Sequence, residues 1–311
     1  MTRVEAAPRA SAPAAAKPRW RMSWSAAGLA AVLVLGVAVN QYPAVASWVS
    51  QYNQSQLITE VSGTLADEPA PQLHGEIERA QAYNELLVGG ALLAANTRKP
   101  TAESGGVGEY DYSSLLKATP TGVMGRLRIP DIDVDLPIYH GTDDLTLTKG
   151  VGHLEGTSLP VGGLSQHSVL TAHRGLPEAT LFDNLDKVET GDTFVIEVYG
   201  EVLTYRVIKT QVVQPEETEA LLPVYGHDLA TLVTCTPLGI NSHRILVTGE
   251  RVTPTPVEDV QAAGERPEIP GFPWWAVILS GSLVLAAIVV WRAGYPPRPR
   301  PKRADSRPKA A

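Results

Sequence analysis

The sequence predicts a mainly β domain, a closed or nearly closed barrel of seven or eight strands, set between two apolar segments. Three observations predict it. From Val123 to Val252 apolar residues recur with a period of two in short runs, separated by Gly-, Pro- and Asp-bearing breaks. Only short helical pieces interrupt these runs, which suits a barrel better than a layered fold of strands and helices. Outside this region lie two long uncharged stretches, one beginning at Ala26 and one spanning Trp274 to Trp291.

The charge is unevenly spread. The chain has 311 residues and a formal net charge of −7. Residues 1–21 hold five basic side chains against one acid, and residues 292–311 hold seven against one. The body between them keeps 14 basic and 31 acidic residues, a net of −17. So acidic a body argues against nucleic acid as a partner.

Residues 1–21, Ala/Pro-rich and basic, read as a disordered tail. Residues 22–50 read as a signal-anchor, with the run Ala26 to Val39 at its centre and basic residues only on its N-terminal flank. Asn40, Gln41 and Pro43 weaken its second half, and Ala44-Val45-Ala46 before Ser47 resembles a small-residue cleavage site. An anchor that stays attached is the favoured expectation. Residues 51–122 read as a helical stalk followed by a loop. Across 57–95, Ile77, Ala80, Tyr83, Asn84, Leu87 and Ala91 recur at helical spacing, and Asp67-Glu68-Pro69 with Pro71 divides this piece from an earlier one. Residues 96–122 are rich in Gly, Thr and Pro, with Glu109-Tyr110-Asp111-Tyr112 as their most distinctive part.

The barrel is expected over 123–252. Strands are predicted at Val123 to Pro130, Val134 to Tyr139, Ser168 to His173, Thr193 to Tyr199, Val202 to Val213, Ala230 to Cys235 and Arg244 to Val252. Gly200-Glu201 marks a hairpin, and short helices are predicted at Asp143 to Lys149 and Ala179 to Leu185. Gly150 to Gly163 reads as a surface loop, because it lacks a phosphate-loop ending and any dinucleotide-binding pattern. Residues 253–272, with Pro254, Pro256, Pro267 and Pro270, read as a linker. The second apolar stretch, 273–292, holds eighteen uncharged residues between tryptophans and leads into the basic tail 293–311. It would span about 27 Å of a bilayer core about 30 Å thick. By the positive-inside rule both basic ends lie in the cytoplasm and the acidic body outside a cell membrane.

Chemistry concentrates at Cys235, the only cysteine. It closes the run Thr231-Leu232-Val233-Thr234-Cys235, and Pro237 stops the strand just beyond. A strand end is a rigid place for a nucleophile, and a lone cysteine is either an inert buried residue or a reactive thiol. Two neighbours favour the thiol. His173 also ends a predicted strand and Arg244 begins the next one, so a barrel can bring all three to one end. Cysteine with histidine is the minimal acyl-transfer pair, and an arginine beside them can stabilise an oxyanion or hold a substrate backbone. His243 alternates with Arg244 and faces the other way. His74, His140, His153, His167 and His227 have no paired metal spacing, so neither a metal site nor a cofactor is expected.

Thr231-Leu232-Val233-Thr234-Cys235 resembles the sortase active-site motif, with His173 upstream and Arg244 downstream in the sortase order. Thr171-Ala172-His173-Arg174-Gly175-Leu176-Pro177, Thr236-Pro237-Leu238-Gly239-Ile240-Asn241-Ser242-His243-Arg244 and Gly122 to Pro130 resemble class C, pilus-assembling sortases of Gram-positive bacteria. The resemblance covers about residues 70–252 and extends to the C-terminal apolar segment. It implies an eight-stranded sortase-type barrel in which Cys235 is the nucleophile, His173 the general acid/base and Arg244 the oxyanion or substrate stabiliser. It also implies cleavage of a Leu-Pro-x-Thr-Gly-like signal between Thr and Gly, a thioester, and transfer to a lysine amine of a pilin subunit. Many such enzymes carry an Asp-Pro-Phe or Asp-Pro-Trp lid. Residues 96–122 lack that motif, and Asp111 with Tyr112 is the available analogue. Competing readings are a housekeeping sortase that anchors surface proteins to cell-wall peptide, and a membrane-tethered binding barrel without catalysis. The Ser-His-Gly-Cys pattern of L,D-transpeptidases does not match Thr234-Cys235.

Overall fold

The computed structural model describes residues 19–87, 91–93, 100–102, 110–117 and 119–295. Among them are five α-helices: α1 (Trp24–Asp67), α2 (Ala70–Leu86), α3 (Asp144–Lys149), α4 (Val257–Gln261) and α5 (Trp274–Ala293). Eight strands follow a short antiparallel pair, Ala91–Leu93 with Pro100–Ala102. They are β1 (Val123–Ile129), β2 (Val134–His140), β3 (Val151–His153), β4 (Gln166–Thr171), β5 (Thr193–Val198), β6 (Glu201–Val213), β7 (Asp228–Thr236) and β8 (His243–Arg251). These residues divide into two compact units, one reaching Tyr42 and resuming at Trp274, the other Pro43–Pro273.

In the first unit the apolar stretches form helices long and apolar enough to cross a membrane. No side chain of α5 is buried. A helix of Leu, Val, Ile and Trp that buries no side chain belongs in an apolar surrounding, which associates the chain with a membrane. The Trp20 indole donates to the Trp291 carbonyl at 3.0 Å. α1 departs from expectation because it runs unbroken through Pro43, so the candidate cleavage site Ala44-Val45-Ala46 lies within a helix.

In the second unit the eight strands close in the order β8-β6-β5-β1-β2-β3-β4-β7, with β7 returning to β8. All neighbours are antiparallel except β2 with β3 and β4 with β7. The β5–β6 hairpin turns at Tyr199-Gly200, one residue earlier than the sequence suggested. Both residues are left-handed, with φ of 46° and 84°, which matches the twist of the flanking strands. The interior is filled by alternate residues of the strands, among them Leu127, Ile138, Leu170, Phe194, Tyr205, Leu232 and Val247. A smaller cluster of Leu154, Val169, Val213, Leu221, Val233 and Leu246 has the opposite parity and lies on the outer wall of β4, β7 and β8.

Four further expectations are corrected. The Gly-rich stretch 150–163 contains β3. Its glycine content reflects close approach, since a Cβ at Gly152 would lie 2.3 Å from the Gly141 carbonyl oxygen. Residues 179–185 form turns instead of a helix, with a single 3-10 turn at Leu185–Lys187. The helical reading of 57–95 resolves into the end of α1 and α2, which stops at Leu86. α2 buries Ile77, Ala80, Tyr83 and Asn84, and the Asn84 amide bonds both backbone groups of Leu159.

Residues 253–271 are no free linker. Val252 N donates to Thr204 O, and the Thr204 hydroxyl donates to Asp259 Oδ2 at 2.6 Å. Gly264 N donates to Glu197 Oε2 at 3.0 Å, and Arg126 Nη1 donates to Glu265 O at 2.8 Å. Arg126 itself forks onto both carboxylate oxygens of Asp135, at 2.7 and 2.6 Å. This strap crosses β1, β5 and β6, on the far side of the closed sheet from β7.

Candidate active site

Strand register assembles the three residues. Cys235 on β7 and Arg244 on β8 are directly paired Cα partners in an antiparallel ladder. Paired side chains share a face with Cβ atoms about 5 Å apart. The parallel ladder of β4 and β7 keeps a constant offset of 62 positions, from Gln166 opposite Asp228 to Thr171 opposite Val233. The pairing continues past the strand end, where Ala172 N donates to Val233 O at 3.2 Å and the Thr234 hydroxyl donates to Ala172 O at 2.8 Å. His173 and Cys235 carry the same offset and therefore lie level. All three have the parity of Val169, Val233 and Leu246, which puts them on the outer wall of the barrel.

His173 and Cys235 line one cleft of about 60 Å³ with Arg174, Gly175, Leu176, Gly239 and Asn241. Cys235 is 4% exposed and His173 7%. Arg244 is 0% exposed, the largest wholly buried side chain among the described residues. Its Nη1 donates to the carbonyls of Asn241 and His243, both at 2.9 Å. Burying a guanidinium costs several kcal/mol unless it is well hydrogen-bonded, so a cation in this position is an expensive neighbour for a thiol. Arg244 does not itself line the cleft.

The walls are two loops. After His173 the chain turns at Gly175, whose φ is +76° and whose added Cβ would meet Leu238 Cδ2 at 2.5 Å. The loop returns so that Phe182 N donates to His173 O at 3.1 Å. Across the cleft, Ile240 and Asn241 both donate backbone N–H to Pro237 O, at 3.1 and 2.9 Å. Sequence reasoning missed the contributions of Arg174, Asp183, Asp186 and Asn241. The run His173-Arg174-Gly175 was a signal, but only its histidine had an evident chemical role.

Asp111 and Tyr112 are elsewhere. Asp111 caps a 3-10 turn at Tyr112–Ser114 through Ser113 N. The Tyr112 hydroxyl lies 2.9 Å from His153 Nδ1 and accepts from Gly141 N at 3.0 Å. Its ring packs on Tyr83 and His140, and Leu115 and Leu116 beside it are buried in the barrel core. Neither Asp111 nor Tyr112 is among the cleft-lining residues. Of the remaining lid region, residues 96–99, 103–109 and 118 lie outside the described residues.

Three other histidines are held by bonds outside the cleft. His153 is wholly buried and pushed down to about 4 by desolvation. Its Nε2 donates to Ser158 O at 2.9 Å, leaving Nδ1 to accept from Tyr112, so it is held neutral. His167 donates from Nδ1 to Leu222 O and accepts from the Thr231 hydroxyl. His243 faces Gln214 and Ser242 outside the cleft. No group of three His, Cys, Asp or Glu suited to a metal ion occurs among the described residues.

The sortase domain model matches residues 127–252, which include all of this cleft's floor. Sortase D of Bacillus subtilis is 33% identical over 170 residues, covering 52% of this chain and 81% of that protein. The chain belongs to the sortase family. As a sortase it is a member of a cysteine transpeptidase family, and its structural neighbours are of class C. Sortase C-1 from Actinomyces oris is 50% identical with a TM-score of 0.53, covering 58% of this chain and 98% of that one. Streptococcus pneumoniae sortase C is 41% identical with a TM-score of 0.57, covering 63% of this chain and 96% of that one. The eight-stranded barrel expected of a sortase is thus the fold observed.

Proposed function

We propose that this sortase is a pilin-polymerising transpeptidase, with Cys235 as nucleophile, His173 as general acid/base and Arg244 as stabiliser. The observation that carries the proposal is the shared cleft of a thiol and an imidazole that lie level on neighbouring strands, with a buried arginine directly across from the thiol. The Cys235 thiolate attacks the carbonyl of Thr in a Leu-Pro-x-Thr-Gly-like signal, and the C–N bond to Gly breaks as His173 protonates the departing amine. The thioester is resolved by a lysine amine of a pilin subunit, which gives its proton to His173 and forms an isopeptide bond. Arg244 acts through the positive field of a guanidinium held against the strand end, a preorganised charge in a dry site. The pneumococcal relative was solved with reference to pilin substrate specificity, and a further neighbour is sortase C2 of a Group B Streptococcus pilus island. Those likenesses favour pilin over cell-wall peptide as the acceptor. Both basic ends lie in the cytoplasm, and the barrel works outside the membrane.

The test uses the full chain in detergent with a Leu-Pro-x-Thr-Gly peptide and mass spectrometry. An acyl adduct on Cys235 is expected in the parent and none in Cys235→Ala. His173→Ala should form it at least about 100-fold more slowly. A pilin lysine peptide that discharges the adduct supports polymerisation. Discharge by cell-wall peptide alone would move the assignment to surface-protein anchoring, and an adduct that survives Cys235→Ala would sink the mechanism.

A further inference from the structure

We infer that Arg174 is a positioning residue, which holds the His173 imidazole against the Cys235 thiol. The inference rests on the reading of those two side chains as the reacting pair. His173 and Cys235 are held differently by the backbone. Cys235 is inside a strand and paired with Arg244 on β8, whereas the backbone pairing of β4 with β7 ends at Ala172. From there the chain leaves the sheet, and a side chain on a loop is located only as well as the loop is.

Arg174 braces that loop. Its Nε donates to Asp183 O at 3.0 Å, its Nη1 donates to the Thr236 hydroxyl at 3.3 Å, and its Nη2 pairs with Asp186 at 2.8 Å. Thr236 is the residue after Cys235, and Arg174 is the residue after His173. One planar group therefore ties the position following the acid/base to the position following the nucleophile. It also fastens both to the returning strand of the loop. The loop adds two bonds of its own, Gly175 N to Asp183 Oδ1 at 2.6 Å and Phe182 N to His173 O at 3.1 Å.

The arginine side chain is only 9% exposed, while its partner Asp186 is 46% exposed. Three acceptors spread around one guanidinium need the rigid fork that lysine lacks. Arg174 also lines the cleft, so its loss is felt there at once. A reacting group misplaced by about 1 Å can lose about 100-fold in rate.

The experiment measures adduct formation by the full chain in detergent, with Arg174→Ala, Arg174→Lys and Asp186→Asn beside the parent. Urea unfolding gives the folded fraction of each, so rates are compared per folded molecule. For Arg174→Ala, kcat should fall about 30- to 100-fold while KM stays within about threefold. Arg174→Lys should recover less than about a tenth of the loss. The histidine ring signal that vanishes in His173→Ala should shift or broaden in Arg174→Ala. In the His173→Ala background, adding Arg174→Ala should cost less than about threefold, because a residue acting through another has nothing left to position. If Arg174→Ala does not fold, Asp186→Asn carries the test, with an expected fall in kcat of about 3- to 10-fold at unchanged KM. The inference is overturned if kcat per folded molecule is unchanged in the Arg174 and Asp186 variants, or if the full loss recurs without His173. A parent that forms no adduct defeats the reacting pair itself, and that result precedes any variant of Arg174.

Discussion

At the scale of single residues, buried polar groups carry most of the information. His153 is neutral, wholly enclosed, and held well below the ordinary histidine range by desolvation. The unfolded chain binds its proton near pH 6.5 and the folded chain only near pH 4, so the folded state loses ground as pH falls through that window. At about 1.36 kcal/mol per unit the full effect is about 3 kcal/mol, of which about 2 is lost between pH 7 and pH 5. Burial pushes His140 and His167 in the same direction. Urea unfolding of the detergent-solubilised chain at pH 7 and pH 5 checks this, with His153→Asn expected to lose most of the slope. A parent whose stability is flat or rises toward pH 5 would contradict it. None of these burials was legible in the sequence, because a histidine's surroundings come from elements far along the chain. His173 was legible through its place at the end of a predicted strand, which in the structure stops two residues earlier at Thr171, and through the resemblance of its neighbours. Arg174 was not, since its three partners lie up to 62 residues away.

At the scale of elements, alternation was the reliable signal and glycine the deceptive one. β1, β2 and β5 to β8 are long enough for a period of two to stand out. β3 has three residues and a glycine at its centre, and its strand character is imposed by pairing with β2 and β4. The strap over 253–271 was hidden for a related reason. Prolines marked it as irregular, but its attachment depends on Arg126 and Glu197, which lie far from it along the chain. Arg126 is 6% exposed and bonded to Asp135 and to the strap. Arg126→Ala should therefore destabilise the fold by about 3–5 kcal/mol, because it strands the Asp135 carboxylate. Asp259→Ala, which removes only the acceptor of the Thr204 hydroxyl, should cost about 1 kcal/mol. Equal effects of the two in urea denaturation would show that the network, and not the strap alone, had been misjudged.

At the scale of the whole molecule, two apolar helices and two basic ends define the expected topology. With reporter tags at each end of the chain, intact protoplasts treated with external protease should keep both tags and lose the barrel. A tag removed from intact cells would reverse the assigned orientation of that end. The arrangement of the barrel has a consequence for how such an enzyme can change. The thiol, the imidazole and the arginine are set by ladders between β4, β7 and β8, whereas the 61 residues between His173 and Cys235 include the loop of residues 214–227, which joins β6 to β7. That loop can change in length or sequence without resetting the register of the three strands. The placement of the three side chains is inherited through hydrogen-bond register, while the loop that joins the strands is free to vary.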